Sequence, residues 1–176
     1  MPHADYSKFV TATKQEAYEQ LLQSAAALIA DQTNWVANTA NVASLLWHMY
    51  KSLDGPLKNV NWAGFYVRDP KAPQSQLILG PFQGQVACQI IALGKGVCGT
   101  AAAQRKTQLV PDVEQFPGHI ACDGDTKSEI VVPLVKDRQT VAVIDIDCMD
   151  LEGFDSVDQT YLEQLAELLV KGCEGW

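Results

Sequence analysis

Apolar residues recur at helical spacing in the first third of the chain, at strand spacing through its middle, and at helical spacing again at its end. Thr13, Lys14, Gln15 and Glu16 have the form of a capping box. Tyr18, Leu21, Leu22, Ala25, Leu28 and Ile29 follow at intervals of three and four, predicting an amphipathic helix over about Lys14 to Ala30. A second helix is expected with Asn34 as its cap. Its buried stripe would be Val36, Ala40, Ala43, Leu46, Trp47 and Tyr50, and Asp54, Gly55 and Pro56 would end it. From Val60 the period shortens. Runs rich in β-branched and aromatic residues predict strands at Val60 to Arg68, Gln76 to Leu79, Ala87 to Leu93, Thr107 to Val110, Glu129 to Lys136 and Thr140 to Met149. Short turns after Asp69 and over Lys136 to Gln139 favour hairpins, and hence antiparallel pairing. Gly96 to Arg105 reads as a short helix. A last helix, capped by Asp155 or Ser156, runs through Tyr161, Leu162, Leu165, Leu168 and Leu169.

Helices, then about six strands, then a terminal helix describe an α+β fold, with the N- and C-terminal helices packed on one face of a mainly antiparallel sheet. Asp112 to Lys127 is the longest irregular stretch, and a loop of that length inside a compact region is usually functional. Folded over the open sheet face, it would enclose a ligand pocket. The chain has 176 residues, enough for a single domain over 1–176 with one well-buried core. No repeat, linker or low-complexity segment interrupts it.

Composition narrows the partners. Thirteen basic against 21 acidic residues leave a net charge of -8, which repels nucleic acid and anionic membranes. No apolar run reaches the length of a membrane span, and the N-terminus lacks a secretory signal. A cytoplasmic location and a small-molecule partner are the expectation. Five cysteines, an odd number without a signal peptide, argue for reduced thiols rather than a disulfide framework.

Three of these cysteines sit in small-residue segments that suit chemistry. Cys98 follows Gly96 and Val97 at a helix start, where free N–H groups favour a thiolate and predict a lowered pKa. Cys122 lies in the long loop beside Asp123 and Asp125, whose charges would raise its pKa, with His119 as a possible offset. Cys88 falls in the strand run Ala87 to Leu93. Small buried packing residues are one alternative, and a zinc site of His119, Cys122, Cys88 and Cys98 is another, disfavoured because no Cys-x-x-Cys pair is present. Cys148 and Cys173 are read as packing residues.

Two further groups of residues suggest a pocket. Strand alternation puts Asp145 and Asp147 on one sheet face and Ile144 and Ile146 on the other, and Glu129 adds a third acid from a neighbouring run. Clustered carboxyls raise one another's pKa, so one can stay protonated and donate a proton while another binds an ammonium group. A solvated edge strand is the bland alternative, against which the flanking Val141 and Val143 argue. Trp62, Gly64 and Tyr66 share a face, and the glycine between two aromatics predicts a slot open to an apolar group, although ordinary core aromatics would look the same.

Taken together, WAGFY at 62–66, LGPFQG at 79–84, VAC at 86–88, GKGVCGT at 94–100, PGHIACD at 117–123, SEIVVP at 128–133 and IDID at 144–147 resemble the free methionine-(R)-sulfoxide reductases built on a GAF domain. The resemblance implies a GAF-like fold, no cofactor or metal, and reduction of free methionine (R)-sulfoxide to methionine. It implies that Cys122 attacks the sulfoxide and becomes a sulfenic acid, that Cys88 captures it as a disulfide, and that Cys98 is an alternative resolving thiol or a nucleophile. Thioredoxin or a similar dithiol would recycle the enzyme. Glu129, Asp145 and Asp147 would hold the substrate ammonium and supply a proton, Trp62 and Tyr66 would wall the methyl group, and a homodimer is plausible. A non-catalytic GAF sensor and a thiol redox switch are the alternatives.

Overall fold

The computed structural model describes residues 8–10, 13–120 and 124–176. Two helices, α1 (Lys14–Ile29) and α2 (Trp35–Ser52), lead into β1 (Val60–Arg68), β2 (Gln76–Gly84) and β3 (Ile90–Ala92). Then follow α3 (Gly96–Gln104), β4 (Gln108–Val110), β5 (Ser128–Lys136), β6 (Gln139–Cys148) and α4 (Ser156–Gly172). The six strands form one sheet in the order β3-β2-β1-β6-β5-β4 with every pairing antiparallel. The α+β architecture expected from the pattern is therefore present.

Capping fixes where the helices start. The Thr13–Glu16 capping box opens α1, Asn34 caps α2, and Asp155 caps α4 in a second capping box with Asp158. The turn between β5 and β6 holds Asp137 and Arg138, both with left-handed φ (50° and 62°), the backbone a two-residue hairpin needs.

The larger core lies between the sheet and α1, α2 and α4. Phe65 of β1, Ile130, Val132 and Leu134 of β5, and Ile144 and Ile146 of β6 meet Leu21, Leu46, Met49, Leu162 and Leu165 there. Each such side chain contributes roughly 1.5–3 kcal/mol by leaving water. At its centre is a polar knot that ties three helices together. Tyr18 donates to Asp158 Oδ1 at 2.8 Å, Tyr18 and Tyr50 share a hydroxyl hydrogen bond of 2.6 Å, and Lys14 Nζ reaches Asp158 Oδ2 at 2.7 Å.

Three sequence expectations are corrected here. In α2, Val36 and Ala40 face outward, and the buried face instead runs through Asn38, Thr39, Val42, Leu45 and Met49. Polarity misleads because the donors of these two polar residues are met locally: Thr39 donates to the Trp35 carbonyl at 2.7 Å and Asn38 to the Gln32 carbonyl at 2.7 Å. The β2 strand continues past Leu79 to Gly84, accommodating Gly80 and Pro81 in a β-bulge between the Tyr66–Leu79 and Gly64–Phe82 pairs. The run Ala87 to Leu93 yields only the short β3, so Cys88 is in the β2–β3 loop rather than a strand.

Asp158 is fully buried whereas Lys14 retains some exposure, so the two partners are not equivalent. Lys14→Met leaves a buried carboxylate without its cation and is expected to cost about 3 kcal/mol. Asp158→Asn keeps one acceptor oxygen for Tyr18, gives up the one that the Asp155 amide uses, and frees a lysine that can reach water, at about 1–2 kcal/mol. Urea denaturation of both variants checks the order.

Candidate active site

The sheet face away from the helical core carries a second apolar cluster. In it Trp62, Tyr66 and Leu77 meet Val97, Ala101 and Ala102 of α3. Beside them is a cavity of ≈ 170 Å³, the scale of a small molecule, since a cavity of about 150 Å³ takes a benzene ring. Its floor is Trp62, Tyr66, Glu129, Asp145 and Asp147, one wall is the start of α3 with Cys98, and its mouth is formed by the β2–β3 loop with Cys88 and by His119 and Ile120.

Strand register assembles the floor. Glu129 stands opposite Asp147 across β5 and β6, while Asp147 stands opposite Trp62 and Asp145 opposite Gly64 across β6 and β1. A register shift at Asn61 makes this possible. Val60 belongs to the helical core and Trp62, two residues on, to the opposite face, so the irregularity turns the aromatic towards the acids.

Glu129 and Asp145 are both buried, and their carboxyl groups hydrogen-bond to each other. Burial, with the charges of Asp145 and Asp147 beside it, pushes Glu129 well above the usual carboxylate range. Burial also raises Asp145, but hydrogen bonds from the Cys98 thiol, Glu129 and the Ile146 backbone limit its rise to about 6. Near neutrality Glu129 is the protonated member of the pair and Asp145 the carboxylate it donates to. His119 Nε2 lies 3.9 Å from Glu129 Oε2, and burial favours its neutral form. Two buried polar atoms of the floor, Asp145 Oδ1 and Trp62 Nε1, have no hydrogen-bond partner in the protein. An unmet buried group costs about 1–3 kcal/mol, which a ligand with a donor for Asp145 and an acceptor for Trp62 would recover.

Cys98 reverses the sequence expectation. It is buried and free, and burial together with Asp145, Glu129 and Asp147 pushes its thiol well above the ordinary value. A helix start stabilises an anion by about 0.3–2 kcal/mol, while burying a charge costs several kcal/mol, so desolvation wins. Its Sγ and one carboxylate oxygen each from Glu129 and Asp145 lie within 4.8 Å of one another, a set able to hold a metal ion. Gly99 lets this helix start sit against β3, because a Cβ there would collide with the Ala92 carbonyl.

Cys88 is disulfide-bonded. Its loop is tied to the floor by Tyr66, whose hydroxyl donates to the Cys88 carbonyl at 2.9 Å. Cys122, expected to react, lies outside the described residues. Cys148 and Cys173 are free and buried, in keeping with packing roles.

The aromatic slot is also corrected. Trp62 and Tyr66 do line the cavity, but the space beside Gly64 is taken by Phe82, since a Cβ at Gly64 would collide with Phe82 and Trp62. Phe82 stacks on Trp62 at 5.2 Å between ring centroids, and Trp62 on Tyr66 at 5.7 Å. The glycine thus serves the protein's own aromatic stack.

Residues 39–171 match the family model described as GAF domain. The free methionine-R-sulfoxide reductase of Saccharomyces cerevisiae is 57% identical over 97% of this chain and 94% of its own length. That of Escherichia coli is 42% identical over 90% of this chain and 89% of its own. The chain belongs to the free methionine-R-sulfoxide reductase family of GAF domains. The structure of the Neisseria meningitidis free methionine-R-sulfoxide reductase in complex with its substrate superposes on this GAF domain with a TM-score of 0.85 at 40% identity, covering 93% of this chain and 92% of that one.

Within this GAF domain, the five floor residues expected from sequence converge on one cavity, together with Cys88 and Cys98. Sequence reasoning missed Phe82, which reaches the stack through a bulge that has only Gly80 and Pro81 as its signal, and the Tyr66 hydroxyl, whose partner is a main-chain carbonyl. Among the described residues no helix is long and apolar enough to cross a membrane.

Tyr66→Phe keeps the ring stack and removes the tether to Cys88. In the reduced protein, alkylation of Cys88 followed by mass spectrometry is expected to speed up about fivefold, the equivalent of one hydrogen bond of roughly 1 kcal/mol. An unchanged rate means that the bond does not hold the loop.

Proposed function

We propose that this GAF domain, one domain over residues 1–176, reduces free L-methionine (R)-sulfoxide to L-methionine by a cysteine sulfenic-acid route. The observation that carries the reading is the Glu129–Asp145 pair, one carboxyl protonated and one ionised, facing an aromatic-walled cavity beside a disulfide-bonded Cys88. The kinship with reductases that act on this substrate supports it.

In this reading the substrate's ammonium group pairs with Asp145 and Asp147, its Cε methyl lies against Trp62 and Tyr66, and its sulfoxide oxygen accepts from the Glu129 carboxyl. Cys122 attacks the sulfoxide sulfur. The S–O bond breaks, methionine leaves as the two-electron-reduced product, and the oxygen remains on Cys122 as a sulfenic acid. The Cys88 thiol then displaces that oxygen as water, forming a disulfide that thioredoxin or a similar dithiol reduces. Cys98, buried and high in pKa, serves this cycle as a hydrogen-bond donor to Asp145 rather than as a nucleophile. Recycling of this kind fits a reducing cytoplasm, and the active form is proposed to be a homodimer.

The decisive assay measures methionine release from the (R) and (S) epimers with dithiothreitol, for the wild type and for Cys88→Ser, Cys98→Ser and Cys122→Ser. Turnover of the (R) epimer alone, abolished in Cys122→Ser, is expected. In Cys88→Ser without dithiothreitol, dimedone should trap the sulfenic acid after one methionine per chain. Release of neither epimer by folded, reduced protein would sink the enzyme and leave a ligand sensor, while a disulfide formed by peroxide without turnover would leave a redox switch.

The pH dependence follows from the carboxyl pair. Above about 6 Asp145 is ionised and can accept the ammonium, and below it protonation removes that partner. KM is expected to rise up to about tenfold per pH unit below 6. Asp145→Asn should show a raised KM without that inflection.

A further inference from the structure

We infer that the cavity of this GAF domain also binds one zinc-like divalent cation through Cys98, Asp145 and Glu129, with His119 as a fourth ligand, and that this cation excludes the amino-acid substrate. The donors come from three separate elements, α3, β6 and β5, and converge on one point. Their ligand atoms lie within 4.8 Å of one another. Tetrahedral zinc, with bonds of about 2.0–2.3 Å, places its ligand atoms some 3.3–3.8 Å apart, so the three are at most about 1 Å wider than the coordinated spacing. His119 Nε2, 3.9 Å from Glu129 Oε2, is already close to that spacing from one of the three.

A second observation points to a cation independently of the grouping. Asp145 is only 6% exposed, yet its Oδ1 has no partner in the protein and lines the cavity. A buried carboxylate oxygen without a donor is satisfied by a cation or an ammonium group. The donor set then selects among cations. One thiol and one imidazole beside two carboxylates suit zinc or cadmium, whereas magnesium and calcium require mostly oxygen ligands. Binding releases two protons to the buffer, one from the Cys98 thiol and one from the Glu129 carboxyl, and no oxidation occurs. Asp147 is at the cavity floor and Lys95 at its rim, so the inner group is acidic.

The site is distinct from the zinc arrangement that the sequence suggested, because Cys98 is grouped with the two acids and Cys88 is taken up in a disulfide. Its link to the proposed activity is competition alone. Asp145 and Glu129 cannot hold a metal and a substrate together, so a cation would act as a reversible inhibitor that leaves the redox pair untouched.

The test uses the full chain with its Cys88 disulfide intact, where the free thiols among the described residues are Cys98, Cys148 and Cys173. Cadmium is titrated in a buffer free of thiols, reading the thiolate-to-metal absorption band and the heat of binding. One cadmium per chain is expected, with a single-thiolate band that disappears in Cys98→Ser. Because Cys98→Ser could perturb the packing of α3, Glu129→Gln is measured beside it, with an expected loss of affinity of at least about tenfold. Excess methionine should raise the apparent Kd for cadmium. A band that survives in Cys98→Ser, disappears instead in Cys148→Ser or Cys173→Ser, or is missing in the wild type would overturn the proposal. No turnover is read, so failure here is separable from failure of the reductase reading.

Discussion

Two carboxyl groups that share a proton on a buried sheet face are the constraint to which the site is built. Glu129 and Asp145 would repel if both ionised, and in a low-dielectric setting that repulsion is worth far more than in water. The fold tolerates them because β5 and β6 are central to a sheet whose other face is a large helical core. Most of the apolar burial that stabilises the domain lies on the helix side. The opposite face is therefore free to hold a polar cluster whose desolvation would be too costly for a smaller core to support.

The aromatic parts of the site depend on backbone irregularities in the same strands. A regular β1 would give Trp62 the facing of Val60, inside the helical core, and the shift at Asn61 reverses it. A regular β2 would not bring Phe82 to the face that carries Leu77 and Leu79, and the bulge at Gly80 and Pro81 does so. Both aromatics then stack in series with Tyr66, which holds the Cys88 loop through its hydroxyl. The apolar wall, the acids and the redox loop are thus connected through β1, and a change of register there would move all three.

This explains which features were legible in the sequence. The caps at Thr13, Asn34 and Asp155 and the alternation through Ile144 to Asp147 are local signals, and they matched the structure. The facing of α2 was not legible, because Asn38 and Thr39 are made compatible with a core by bonds that include those to the Gln32 and Trp35 carbonyls. The Gly64 slot was misread for a related reason: its occupant, Phe82, arrives from another strand through a bulge. The Cys98 pKa was misread because helix position is visible in sequence and burial is not. Alternation pairs Trp62 with Tyr66 and Asp145 with Asp147 in the sequence, whereas the meeting of these pairs with Glu129 is set by strand order and by the shift at Asn61.

The same pair of acids accounts, under the proposed function, for a preference for the free amino acid over a methionine sulfoxide residue in a peptide. In the free amino acid the nitrogen is a cation with three donors, able to satisfy Asp145 Oδ1 and to neutralise a carboxylate that no lysine or arginine reaches among the described ion pairs. In a peptide it is an amide with one N–H and no charge, and the chain on either side must also fit a cavity of ≈ 170 Å³. The peptide would bury the Asp145 charge without neutralising it, a loss of several kcal/mol. Sites built around a polar group can reject an analogue lacking it by about 10⁴ or more. A purely apolar pocket of the same size, recognising only the thioether end, would separate the two by sterics alone. The Asp145 carboxylate, with its Oδ1 unmet in the protein, is thus the part of the site that reads the substrate as a whole amino acid.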